Sequence, residues 1–238
     1  MTQWRGIALA CALAGCATPQ TQAPSASTDQ IAQESLAQQQ FVISSRIAES
    51  RRVEAVYERL SAANLEFCKH TSGSIGAGVQ QRSDYPKQFK DAAIAVGVPD
   101  ATTISYVLDN SPAAKAGLKP GDQIVKLNGQ ELAAKGAGES QFSKGISEWA
   151  DRSVTLSISR AGAAMDLTIV PAKLCGYPVV EIDNQTLNAS ATGKSVLLQR
   201  GMLNFIHDDQ ELALVLGHEL RTTRWAISMR RRRTKSPA

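Results

Sequence analysis

Histidine, glutamate and cysteine are the side chains of this sequence whose spacing could do chemistry. Its 238 residues hold three histidines, His70, His207 and His218, and four cysteines, Cys11, Cys16, Cys68 and Cys175. Glu219 follows His218 directly. Histidines at i and i+4 on a helix face the same way and can both ligate Zn²⁺. A glutamate beside the first then acts as general base on the metal-bound water. Here the i+4 position is Thr222, and no His, Asp or Glu follows Glu219. His207 precedes His218 by eleven residues, about three turns along a continuous helix. One imidazole with a neighbouring carboxylate does not hold a catalytic zinc tightly.

The elements that must position these residues can be read from pattern. Residues 33–63 contain no Gly or Pro, and Val42, Ile43, Ile47, Val53, Val56, Tyr57 and Leu60 recur at helical spacing. One long helix over 31–63 is expected, as a coiled-coil partner or, more simply, docked on its own body. Phe67 to Asp91 contains Gly73, Gly76, Gly78 and Pro86, which suggests turns and short strands. Ala93–Val98 and Ile104–Leu108 read as strands. Ser111-Pro112 starts a short helix that Gly117 stops. Gln123–Leu127 is a strand with Asn128-Gly129 as its turn, and Glu139–Trp149 a second helix. Val154–Arg160 and Met165–Val170 alternate as a hairpin through Ala161-Gly162. Ala189–Ala191 and Ser195–Gln199 are two further strands. A last helix, apolar at Leu212, Val215 and Leu216, delivers His218 and Glu219.

Charge is unevenly placed. The net +4 divides into +7 on residues 221–238, with Arg230–Arg233 at its centre, and −3 on the rest. The apolar content of 43% excludes a wholly disordered chain. A basic tail could meet nucleic acid or anionic lipid, or be merely solvated; no nucleic-acid partner is expected.

The N-terminus resembles a bacterial lipoprotein signal. Arg5, the short apolar run Ile7–Ala14 and Leu13-Ala14-Gly15-Cys16 match an h-region and lipobox, and the run is too short to span a bilayer. The resemblance implies lipidation at Cys16, with Ala17 next to it as in outer-membrane sorting, and a periplasm-facing location. A buried N-terminal helix is the alternative. Cys11 would leave with the signal, so Cys68 and Cys175 remain as a pair in an oxidising compartment. A Cys68–Cys175 disulfide is expected, against two free buried thiols.

Two further resemblances follow. Ser111-Pro-Ala-Ala-Lys-Ala-Gly-Leu-Lys-Pro-Gly-Asp-Gln-Ile124 resembles PDZ domains of the bacterial secreted-protease type, over about residues 92–172. Such a domain binds an extended peptide as an added strand. The resemblance implies a groove lined by the strand Ile94, Ala95, Val96, Gly97 and Val98 and by the helix near Phe142–Trp149; a groove that binds nothing is the alternative. The block from Leu187-Asn-Ala to Glu211-Leu-Ala-Leu-Val-Leu-Gly-His-Glu219 resembles the gluzincin metallopeptidases, typified by the CAAX prenyl protease and the heat-shock membrane protease. That resemblance implies His218 as a zinc ligand, Glu219 as the base, and Ser195, Val196 and Leu197 as an edge strand for substrate.

The pattern breaks after Leu220. Arg221–Ile227 can be written CGC ACA ACA CGA TGG GCC ATA. With one G restored in front, the next frame reads Ala-His-Asn-Thr-Met-Gly-His and completes the family motif. A one-base deletion at the Leu220/Arg221 junction, in the gene or in its reading, is the expected cause.

The expected architecture is α+β: a long N-terminal helix, a PDZ-like β-barrel or sandwich with two helices, and a partial zincin-like α+β domain. The expected segments are signal 1–15, tether 16–30, helix 31–66, connecting strands and loops 67–91, PDZ 92–172, the peptidase-type region 173–220 and the tail 221–238. The expected function is that of a zinc metalloendopeptidase-family envelope lipoprotein, inactive in this chain, or a non-enzymatic peptide-binding one. Its partners would be unfolded or C-terminal peptide segments of envelope proteins, and a membrane through the lipid. Leu212, Val215 and Leu216 are expected to lack packing partners, leaving residues 176–238 poorly stable.

Overall fold

The computed structural model describes residues 25–133 and 136–233, with side chains to residue 222. The signal, Cys16 and most of the tether lie outside the described residues.

A single helix organises the molecule. α1 (Thr28–Ala63) begins three residues before the expected start because Ser27 and Gln30 form a capping box. The Ser27 hydroxyl accepts from the Gln30 N–H at 3.2 Å, and the Gln30 side chain accepts from the Ser27 N–H at 2.8 Å. The 36 residues span about 54 Å. α1 docks on its own chain. Ile43 packs with Ala92, Ala93 and Val98, while Val53, Val56 and Tyr57 enter a second cluster with Leu212 and Leu216.

The six-stranded sheet runs β2 (Ala77–Gln80), β3 (Thr103–Val107), β4 (Gln123–Leu127), β6 (Val154–Arg160), β7 (Ala163–Ile169), with β5 (Gln130–Glu131) paired to β4. Its neighbouring strands are antiparallel. Two short helices, α3 (Pro112–Lys115) and α4 (Gly138–Ser147), close a core of Ile104, Leu118, Phe142, Leu156 and Ile158. The local signals act as expected. The Ser111 hydroxyl caps α3 by accepting from the Ala114 N–H at 3.1 Å, and Ala161 and Gly162 both take positive φ at the β6–β7 turn. Buried Asp122 accepts from the Lys119 N–H at 2.7 Å and from Arg160 at 2.7 Å, which fixes the Lys119–Asp122 turn.

One expectation about this half is overturned. Ala93–Val98 is not a strand: α2 (Lys90–Ala95) occupies its first part, and Gly97 at φ +82° ends the turn. Alanine is the best helix former, and Ala92 and Ala93 are small enough to lie flat against Ile43. Residues 67–91 hold the short strands expected there. They contain β2, the end strand of the sheet, and β1 (Thr71–Ser74), which pairs antiparallel with β8 (Ala172–Cys175). The six-stranded sheet therefore includes a strand that precedes residue 92.

A separate three-stranded sheet, β10 (Ala189–Ala191), β11 (Val196–Gln199), β9 (Val179–Ile182), leads into α5 (Arg200–Phe205) and α6 (Asp209–Arg233). Leu212 and Leu216 are 0% exposed against Val53, Val56 and Tyr57. The expected want of partners is thus corrected: α1 supplies them. The disulfide forms, with Cys68 and Cys175 Cα atoms 5.4 Å apart. Beside it the Tyr57 hydroxyl donates to the Cys175 carbonyl at 2.6 Å, and the Cys175 N–H donates to the Ser61 hydroxyl at 2.6 Å.

Candidate functional site

His218 and Glu219 lie on α6, two turns past the cap that Asp208 makes to the Gln210 and Glu211 N–H groups. His218 is exposed and Glu219 half-buried. Thr222 stands one turn on, and its hydroxyl donates back to the His218 carbonyl at 3.0 Å. His207 is exposed and turned to Glu211 at 3.5 Å. Among the described residues no three His, Cys, Asp or Glu side chains gather as a metal would need. A single imidazole beside a backbone-bonded threonine does not fit a tetrahedral zinc site, which takes three or four such donors. If the missing ligand is the only defect, Thr222→His should bind Zn²⁺ at least about tenfold more tightly than the present sequence. Calorimetric titration reads this, and equal affinities would place the defect elsewhere.

The expected substrate edge in this half is also displaced. Ser195 sits in a turn held by Thr192, and its N–H donates to the Thr192 hydroxyl at 3.0 Å. Val196 and Leu197 lie in β11, the middle strand, with β10 antiparallel on one side and β9 parallel on the other. Val196 and Leu198 are fully buried. Both hydrogen-bonding edges of β11 are taken by these two strands. The β9 pairing joins segments distant in sequence and left no local signal.

An open edge exists elsewhere. β2 ends the six-stranded sheet and pairs only with β3 among the described strands. β2 lines a cavity of about 490 Å³ together with Ser105 and Tyr106 of β3, Phe142 and Ser143 of α4, and Ile47, Val53 and Glu54 of α1. Of the helix expected as a wall, Phe142 and Ser143 line this cavity. The expected strand is replaced: Ile94 and Val96 are 52% and 38% exposed, Ala95 and Gly97 are exposed as well, and Val98 is buried against α1, all away from this groove. Gly78 lets the chain pass the Tyr106 ring, because a Cβ there would sit 2.3 Å from a ring carbon.

The groove is acidic. Glu54, Asp84, Glu139 and Glu181 line it with Arg46 and Arg200. Both arginines are already engaged: Arg46 with Asp183 at 2.7 Å, and Arg200 with Asp183 at 3.0 Å and with Glu49. Burial, and then the charges of Glu58 and Glu181, push the Glu54 carboxyl up to about 7. Burial also raises Glu139, with Asp84 adding to it, and raises Glu181 despite its bonds to Ser50 and Arg200. At the end of β1, just ahead of β2, the Ser74 hydroxyl donates to the Glu58 carboxylate, and that carboxylate lies next to Gly76.

The sequence matches two family models, a PDZ domain over residues 103–160 and peptidase family M48 over residues 156–221. The chain thus carries a PDZ domain followed by a peptidase-family region, in the order its motifs suggested. It is 34% identical over 93 residues to "Regulator of sigma-E protease RseP" of Salmonella typhimurium (strain 14028s / SGSC 2262), which covers 38% of this chain and 17% of that one. It is 33% identical over 85 residues to "Periplasmic serine endoprotease DegP" of Escherichia coli (strain K12), covering 35% of this chain and 17% of that one. The match therefore spans about a sixth of the length of these relatives. Among solved structures, the HtrA3 PDZ domain bound to a phage-derived ligand aligns at 22% identity and a TM-score of 0.35, over 44% of this chain and 90% of that one.

Proposed function

We propose that this protein binds extended peptide segments in the groove between β2 and α4, and that its peptidase-family region serves as scaffold without hydrolysing peptides. The open edge of β2 over its cavity carries this reading. A free strand edge offers main-chain donors and acceptors to an incoming strand, and flanking pockets select side chains. Hydrolysis is left out because the donors present, His218 and Glu219, do not make a zinc site. In a chain with the full metal set, the family's chemistry would be a zinc-activated water attacking a peptide carbonyl. The groove would then recruit unfolded envelope proteins to it.

The Leu13-Ala14-Gly15-Cys16 sequence supports export and a lipid on Cys16. A periplasm-facing outer-membrane location belongs to the same proposal. The mass of the mature N-terminal peptide reads the lipid, and an unmodified Cys16 would remove it.

The expected result with the purified chain is peptide binding that a zinc chelator leaves unchanged, with no cleavage of casein whether or not zinc is added. Zinc-dependent casein cleavage would overturn the non-hydrolytic reading. Peptide binding abolished by the chelator would tie the groove to a metal and overturn the scaffold role.

A further inference from the structure

Resting on that reading of the groove, the structure also narrows its ligand. A strand added antiparallel to β2 brings its C-terminal end to the first residue of β2, beside Gly76. A free C-terminal carboxylate would have to settle there. The place is held by a carboxylate of the chain's own, that of Glu58, which accepts from the Ser74 hydroxyl and lies beside Gly76. A second carboxylate would meet it at close range, and like charges that close repel strongly.

Farther along the groove, among the described residues, the wall lacks a free cation. Arg46 is paired with Asp183, and Arg200 with Asp183, Glu49 and Glu181, which among the described residues leaves Glu54 and Glu139 lining the cavity without a basic partner. Glu54 lies one helical turn before Glu58, and among the described residues no hydrogen bond or ion pair satisfies it. The mouth is acidic too, since Asp84 and Glu139 are both exposed on its rim. A lysine or arginine side chain entering past them would meet the Glu54 carboxylate inside.

We infer that the groove takes an internal extended segment bearing Lys or Arg, rather than a free C-terminus.

The groups facing Glu54 set the pH response. Glu58 and Tyr57 of α1, Glu181 of β9 and Tyr106 of β3 interact with it electrostatically, and Ser50, Arg46, Glu139 and Arg200 line the same cavity. Glu54 loses its proton as pH rises through about 7. Affinity for a cationic segment therefore rises between about pH 6 and about pH 8. A neutral segment should show no such rise.

The test uses the full chain and a fluorescein-labelled octapeptide of alternating Val and Lys with a C-terminal amide. Its controls are the same peptide with Gln for Lys, and both peptides as free acids. The Lys amide is expected to bind about tenfold more tightly than the Gln amide at about pH 8, with amide and acid forms alike. Glu54→Gln should remove most of the Lys preference and flatten the pH dependence. Glu58→Ala should let the free-acid forms gain over the amides. Tighter binding of the Gln free acid than of the Lys amide would overturn the inference and leave peptide binding standing. Failure of all four peptides would overturn both.

Discussion

Leu216→Ala is expected to lower the unfolding free energy by about 2–5 kcal/mol, and Leu214→Ala by less than about 0.5 kcal/mol. Both residues lie on α6, two positions apart. Leu216 is 0% exposed and Leu214 75% exposed. The contrast tests which partner holds α6. Its apolar face meets Val53, Val56 and Tyr57 of α1, beside Val196 and Leu198 of β11. Truncating Leu216 removes both the transfer free energy of its methyl groups and their contacts with this wall. Val56→Ala on the other side of the interface should destabilise in the same direction. Urea denaturation followed by circular dichroism measures all three. A cost below about 1 kcal/mol for Leu216→Ala would mean that α1 does not support the peptidase-family half.

Much of the PDZ half was legible because its signals are local. Ser111 caps, Pro112 fits the first helical turn, Gly117 stops, and Ala161-Gly162 turns a hairpin; each acts within a few residues. What was lost depends on partners far along the chain. Ala92–Val98 is a short apolar run, ambiguous between strand and helix by pattern alone. The contact of Ala92 and Ala93 with Ile43, about fifty residues earlier, decides it. Gly73, Gly76 and Gly78 suggest turns and short strands without saying which residues pair, and Ala77–Gln80 forms the edge strand. Gly78 is required there by the Tyr106 ring, not by a bend.

The candidate site divides in the same way. His218, Glu219 and the missing partner at Thr222 are sequence facts, and the helix only confirms their spacing. The acidic groove could not be read from sequence, because Glu54, Glu139 and Glu181 come from three separate elements. The signal that could have found part of it is Glu54 and Glu58 at i and i+4 on the face of α1 that also carries Val53 and Tyr57. Carboxylates on the inner side of a docked helix need a reason to be there.

Cys68→Ser is expected to cost about 2–5 kcal/mol, and reductant should lower the stability of the unchanged chain but not of the variant. The bridge closes a loop of 107 residues. In the chain-entropy account so long a loop constrains the unfolded chain by about 4–5 kcal/mol. Native contacts add to this, since Tyr57 and Ser61 both bond to the Cys175 backbone. The same stretch of α1 therefore serves the disulfide, the α6 interface and, through Glu54 and Glu58, the groove. Loosening its end should be felt at all three. Combining Cys68→Ser with Leu216→Ala should give a coupling of about 0.5–3 kcal/mol rather than simple addition, because residues in one packed unit share the loss. Denaturant titration of the two single variants and the double variant measures it. Strict additivity would mean that the two halves of the interface act independently and that α1 does not transmit between them.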